Sequence, residues 1–236
     1  MATLSKTQID RLGDRLKKGS PSDDDLRLLD DYRRSFGPAY DFVIGTIREK
    51  LHLEPTGRPA KSTSSITEKL RRESIRLSQV QDIAGCRVTV ADVFTQDHTT
   101  ATLCATFPET RVMDRRINPS HGYRAVHVII TTQRVSVEIQ IRTALQHLWA
   151  ELSERLADVV DLNIKYGTGD QQVNDFLTSE SDFIATLEEL ERDPILSDKE
   201  VQSSRRQQFQ EGLTHLKTDL AERLRRIISK LEGKRR

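Results

Sequence analysis

The sequence predicts an α+β fold, with helices at both ends and strands confined to the middle. Three features carry that expectation. Near the start, apolar side chains recur at helical spacing, in Ile9, Leu12 and Leu16 and again in Tyr40, Val43, Ile44, Ile47 and Leu51. In the middle the pattern changes to alternation and short apolar runs, as in QDIAGCRVTV, YRAVHVIITT and VSVEIQIRT, with TTATLCATF at helical spacing between them. Beyond Val160 the strand signals stop, and Phe209, Leu213, Leu216, Leu220, Leu224, Ile227 and Leu231 step by three or four. The resulting division is a helical extension over residues 1–39, a core over 40–170 and a second helical extension over 171–236.

Each element has a local reason. SPSDDDLRLLDDYRRSF reads as a capped helix start, and Gly37 with Pro38 interrupts the helical run before it resumes at Tyr40. EPTGRPAKST, with Pro55, Gly57 and Pro59, reads as a loop. From Ser62 to Leu77 a basic helix is expected, with Ser65 and Glu68 as its capping box. RVMDRR reads as a strand, and YRAVHVIITT pairs with VSVEIQIRT through a tight turn near Gln133. Thr143 and Gln146 form a capping box that opens a helix bearing Leu145, Leu148, Trp149, Leu152 and Leu156. DLNIKYGTGD is a glycine-bearing loop that closes the core. The last helix has one apolar stripe, which must be buried either back on the domain or in a homo-oligomer.

Thirty-seven Lys and Arg balance thirty-six Asp and Glu, so global charge points to no nucleic-acid coat and any electrostatic site must be local. Cys86 and Cys104 stand in apolar segments outside metal-ligand spacing and read as small hydrophobes in a reducing compartment. The opening MATLSKTQIDRLGDRLKK lacks the apolar stretch of a signal peptide, and no apolar run is long enough to span a bilayer. The expectation is a cytoplasmic protein with no membrane partner.

Four groups of residues have chemistry in them. Lys61, Ser65 and Lys69, spaced by four around a helix N-terminus, suit a polyphosphate, or else form a solvated basic face. Asp82 precedes an apolar strand, and Glu138 offers a second carboxylate on another. One or two carboxylates are what Mg²⁺ takes from protein, although a lone Asp also serves as a cap. Tyr123 follows the bend at Pro119 and Gly122 and could stack on a base or lie half-buried in the core. His127, between Val126 and Val128, reads as a packing residue. In VSVEIQIRT the alternation puts Glu138, Gln140 and Arg142 on one face, which is either a site or a plain polar surface.

In order and spacing, RPAKSTSSITEKL, QDIAGCRV, HGYRAVHV and VEIQIRTALQHLWAEL resemble the synthetase domain of the RelA/SpoT family, the (p)ppGpp synthetases, over residues 40–166. No His-Asp dipeptide occurs, so the likeness is to the small alarmone synthetases without a hydrolase domain. The resemblance implies a nucleotidyltransferase-like mixed β-sheet flanked by helices. It also implies transfer of the β,γ-pyrophosphate of ATP to the ribose 3′-hydroxyl of GDP or GTP, with Mg²⁺ as cofactor. By similarity, Arg58 and Arg87 sandwich the adenine, and Lys61, Ser65 and Lys69 hold the ATP phosphates. Asp82 and Glu138 bind Mg²⁺, and Glu138 takes the 3′-hydroxyl proton. Tyr123 stacks on guanine, while Arg124, Gln140, Arg142 and His147 line the acceptor side.

Family members commonly carry Lys near the place of Pro119 to His121, where this chain has PSH. Arg115, Arg116, His121 and Arg124 are then the expected grip on acceptor phosphates. Related toxic synthetases use much the same motifs on the 3′ end of tRNA or on adenine nucleotides, and an antitoxin would accompany such a chain. A catalytically silent nucleotide-binding module is the third reading, against which Asp82 and Glu138 both stand.

Overall fold

Ser5, Ser22 and Asp170 start helices for one local reason: a short polar side chain accepts a hydrogen bond from a first-turn backbone N–H. In this computed structural model, which describes residues 4–19, 21–193 and 203–233, the Ser5–Gln8, Ser22–Asp25 and Thr143–Gln146 capping boxes are each closed from both sides. Residues 194–202, inside the expected C-terminal extension, lie outside the described residues. The first three helices are α1 (Lys6–Lys18), α2 (Asp23–Arg34) and α3 (Gly37–Leu51), with Pro38 in the first turn of α3, where its missing N–H costs nothing. One cap differs from expectation. α4 (Thr63–Arg72) is capped by Ser62, whose hydroxyl accepts from the Ser65 N–H, so the Ser65–Glu68 box does not form. The helix also ends at Arg72, and Leu77–Gln79 make a separate 3₁₀ turn.

Among the described residues, five strands form one mixed sheet flanked by helices, in the order β1-β2-β5-β4-β3. They are β1 (Thr56–Arg58), β2 (Ala84–Val90), β3 (Thr110–Asp114), β4 (Val126–Thr132) and β5 (Val135–Thr143). β1 lies where a loop was expected, because three residues among prolines and a glycine show no period. It pairs antiparallel with β2, Thr56 opposite Arg87 and Arg58 opposite Gly85. β4 and β5 are joined at Gln133 and Arg134, both at positive φ (51° and 67°), the backbone that a two-residue hairpin turn requires. The remaining helices are α5 (Val93–Thr106), α6 (Ala144–Val159), α7 (Gln171–Glu191) and α8 (Ser203–Gly233). Among the described residues no helix is long and apolar enough to cross a membrane.

By its contacts the chain divides into two units, Met1–Val88 with Ala101–Val112 and His127–Gln140, and Thr89–Thr100 with Met113–Val126 and Ile141–Arg236. Within the first, α1 packs on α2, on α4 and on the turn at Leu77. Gly13 makes that last approach possible, since a Cβ there would lie 2.7 Å from the Leu77 Cβ. Lys17 Nζ donates to the Ile75 carbonyl at 2.8 Å.

Within the second unit, Leu148, Trp149 and Leu152 of α6 share a core with Leu177, Ile184 and Leu187 of α7 and Leu213, Leu220 and Leu224 of α8. The stripe on the last helix is thus largely spent on α6, and Leu216 alone among its leucines is 46 % exposed. Emptying the fully buried Leu224 should therefore cost far more than trimming Leu216. We expect Leu224→Ala to lose about 2–5 kcal/mol in urea denaturation and Leu216→Ala to stay within about 0.5 kcal/mol of wild type. Equal losses would contradict this packing.

Candidate active site

The residues singled out by sequence fall in both units. In the first unit Asp82 sits in the turn before β2 and takes both lysines. Lys61 Nζ donates to Oδ2 at 2.5 Å and Lys69 Nζ to Oδ1 at 2.9 Å. Lys61 is placed by its backbone N–H, which donates to the Ile83 carbonyl at 2.6 Å, and Lys69 by the last turn of α4. Ser65 accepts a hydrogen bond from the Ser62 hydroxyl at 2.7 Å, as part of the helix cap. Burial pushes the Asp82 carboxyl up, but the hydrogen bonds and charges of Lys61 and Lys69 outweigh it and hold it below 3.8.

Glu138 of β5 is 9 % exposed. His127 Nδ1 donates to its Oε1 at 2.9 Å, and Gln140 Nε2 to its Oε2 at 2.9 Å. Burial raises this carboxyl. The His127 hydrogen bond and charge, with the Gln140 amide, bring it below 4.5 against the opposing charge of Asp82. Each oxygen keeps a free lone pair, so Glu138 can still accept from a ligand. His127 is therefore no mere packing residue. Counting outward from the two-residue turn sets position 127 opposite 140, on the face of Glu138, and that signal was available in the sequence.

The glycine in DIAGCRV has a local cause, because a Cβ on Gly85 would lie 2.8 Å from the Glu138 carbonyl oxygen. Beside it, burial and then the charge of Glu138 push the Cys86 thiol up to about 12, so it is inert at neutral pH. Arg87 is half-buried on β2. The β1–β2 register gives it the same parity as position 58, while the side chain of Arg58 lies outside what the structure describes.

In the second unit Arg142 Nη2 donates to the Tyr123 hydroxyl at 2.9 Å, and its guanidinium lies 5.0 Å from the centre of the Tyr123 ring. Both border a cavity of about 190 Å³ together with His121, Trp149, Glu154 and Lys165. Gly122 is at φ +82°, and a Cβ there would lie 2.7 Å from the Trp149 ring, so glycine is needed for both backbone and space. Glu154 and Lys165 were not expected here, since nothing in a helix surface or a loop marks them.

Arg124, Gln140 and His147 do not line this cavity. Arg124 instead donates to Ser181 Oγ at 3.0 Å, to the Arg116 carbonyl at 2.8 Å and to Asp182 at 3.1 Å. Arg116 pairs with Asp114 and Asp97. Two of the cations expected on acceptor phosphates are thus engaged by the protein's own groups.

A family model described as a region found in RelA / SpoT proteins matches residues 57–157. Residues 57–157 are thus similar to that region. Lys61, Asp82, His127, Glu138, Tyr123 and Arg142 all lie inside the matched stretch, whereas α7 and α8 lie beyond it. An uncharacterised protein of Mycobacterium tuberculosis is 40% identical over 119 residues, which cover 48% of this chain and 43% of that protein. GTP pyrophosphokinase YjbM of Bacillus subtilis is 34% identical over 155 residues, covering 60% of this chain and 64% of its own. The chain thus spans less than two thirds of either relative. Among solved structures, small alarmone synthetase 1 of Bacillus subtilis bound to its product pppGpp superposes with a TM-score of 0.52 at 29% identity. That match covers 69% of this chain and 92% of the other.

The lysine pair on Asp82 has a pH signature. Because the folded carboxyl is held below its ordinary value, the stabilisation is complete above about pH 4 and is lost as pH falls through the depressed pKa. Asp82→Asn should cost about 1–3 kcal/mol at pH 7. Denaturation across pH should show the gap between wild type and variant constant down to about pH 4 and closing below it. A gap that widens in acid would mean that the lysines do not hold the carboxylate.

Proposed function

We propose that this chain is an ATP-dependent pyrophosphokinase that moves the β,γ-pyrophosphate of ATP to the ribose 3′-hydroxyl of GDP or GTP and releases AMP. The observation that carries the proposal is Glu138: a buried carboxylate, held ionised by His127 and Gln140, with acceptor capacity left over. The name of the Bacillus subtilis relative, GTP pyrophosphokinase, and the pppGpp product bound to the similar synthetase support the same reading.

The reaction forms a bond from the 3′-oxygen to the β-phosphorus and breaks the bond between that phosphorus and the oxygen retained by AMP. Glu138 accepts the proton of the 3′-hydroxyl, a role worth about 10² to 10⁴ in rate. His127 and Gln140 orient it. Lys61 and Lys69 turn from Asp82 to the polyphosphate, whose greater charge competes for them, and Ser65 adds a hydroxyl near the start of α4. Arg87 and Arg58 flank the adenine. Tyr123 offers a ring to the acceptor base, and Arg142 offers its charge beside it.

The donor set fits Mg²⁺. Asp82 and Glu138 are hard-oxygen donors whose charges already act on one another, and this ion draws only one or two carboxylates from a protein. Among the described residues no cluster of three His, Cys, Asp or Glu offers a softer site. When bound, Mg²⁺ would neutralise phosphate charge as the pyrophosphate moves.

Incubation of the purified chain with γ-labelled ATP and, separately, GDP, GTP, unlabelled ATP or deacylated tRNA tests this directly. Label should appear on GDP or GTP. Label only on tRNA or on an adenine nucleotide would replace the acceptor, and label on none would end the enzymatic reading. Glu138→Gln should lower transfer at least about 100-fold while ATP binding persists. Full activity in that variant would remove Glu138 from the mechanism.

A further inference from the structure

Helix α7 lies beyond the family match, yet it holds both segments that present Tyr123 and Arg142 to the cavity. Ser181 Oγ donates to the Gly122 carbonyl at 2.6 Å and accepts from Arg124 Nε at 3.0 Å, fixing the backbone before Tyr123 and the side chain after it. Asp182 accepts the outer nitrogen of Arg124. Two helical turns after Ser181, Glu188 accepts from Thr143 Oγ1 at 2.6 Å and from Gln146 Nε2 at 2.9 and 3.0 Å.

The same network closes around Arg142. Gln146 Oε1 accepts from the Thr143 N–H and from Gln96 Nε2, and Gln96 Nε2 also donates to the Ile141 carbonyl at 2.8 Å. The backbone on each side of Arg142 is therefore pinned by buried side chains, with Gln96, Gln146 and Glu188 at 0 %, 2 % and 6 % exposure. A buried carboxyl is a poor choice for stability alone, since an apolar residue of similar size would pack α7 at lower cost. Burial indeed pushes the Glu188 carboxyl above its ordinary range despite the donors from Thr143 and Gln146.

We propose that Ser181 and Glu188 are positioning residues that set the acceptor grip. Ser181 aims Tyr123, Glu188 aims Arg142, and the hydrogen bond between those two side chains joins the settings. Small displacements at such contacts are costly, reaching about 10²-fold for a 1 Å error. This inference rests on the pyrophosphokinase reading of the site, and its test includes a binding readout that does not depend on turnover.

Trp149 is the chain's only tryptophan and borders the cavity, so its fluorescence reports nucleotide entry. In Ser181→Ala and Glu188→Gln the KM for GDP should rise about tenfold, the KM for ATP should hold, and GDP titration of the Trp149 signal should weaken by the same factor. A variant that keeps both KM values and loses activity only in proportion to folded protein would overturn the proposal. If Glu188→Gln does not fold, Ser181→Ala and Asp182→Ala carry the test, the latter at a side chain that is largely exposed. A wild type that binds GDP by fluorescence but transfers nothing would fail the pyrophosphokinase reading while leaving the positioning measurable. A wild-type signal indifferent to every nucleotide would overturn the positioning as well.

Discussion

Glu138 is a carboxylate taken out of water, and the donors that reach it are what make its burial tolerable. An uncompensated charge in that position would take up a proton. His127 and Gln140 prevent this from the same sheet face, one across the hairpin and one along the strand. The hairpin turn with two positive φ values, the glycine at 85 and the buried inert thiol at 86 all follow from this arrangement. The turn sets the register, Gly85 admits β2 beside the Glu138 backbone, and the charge of Glu138 adds to burial in keeping the Cys86 thiol protonated.

A balanced net charge hides strong local fields. Asp82 draws two lysines that are mostly buried, Lys61 from before α4 and Lys69 from its last turn, so the three groups together carry one net positive charge. Arg116 and Arg124 show the opposite use of charge, being committed to Asp97, Asp114 and Asp182. Cations that look alike in a sequence thus divide into those gathered on one carboxylate, Asp82, and those that brace the loops around Tyr123.

Much of this was legible in the residues because the periods are clean. VSVEIQIRTALQHLWAEL changes from alternation to helical spacing at Thr143, and that change places both the strand end and the cap. The hairpin near Gln133 was readable as well. β1 was not, because three residues carry no period, and the cap of α4 was assigned to Ser65 instead of Ser62 because the two are equally good caps in isolation. The partner of Glu138 required register counting. Ser181 and Glu188 were beyond reach, since each bonds to residues more than forty positions away, and as polar residues on the buried face of α7 they break its apolar stripe without naming a partner. Long-range polar contacts leave no periodic trace.

The ionisation of Glu138 decides whether it can act as a base, and it is directly observable. With ¹³C-labelled glutamate, the Glu138 side-chain carbon, assigned by its loss in Glu138→Gln, should titrate below its ordinary 4.5 and move upward in His127→Ala. A carbon that already reports a protonated acid at neutral pH, or one indifferent to the loss of His127, would contradict the paired carboxylate on which the rest of the structure depends.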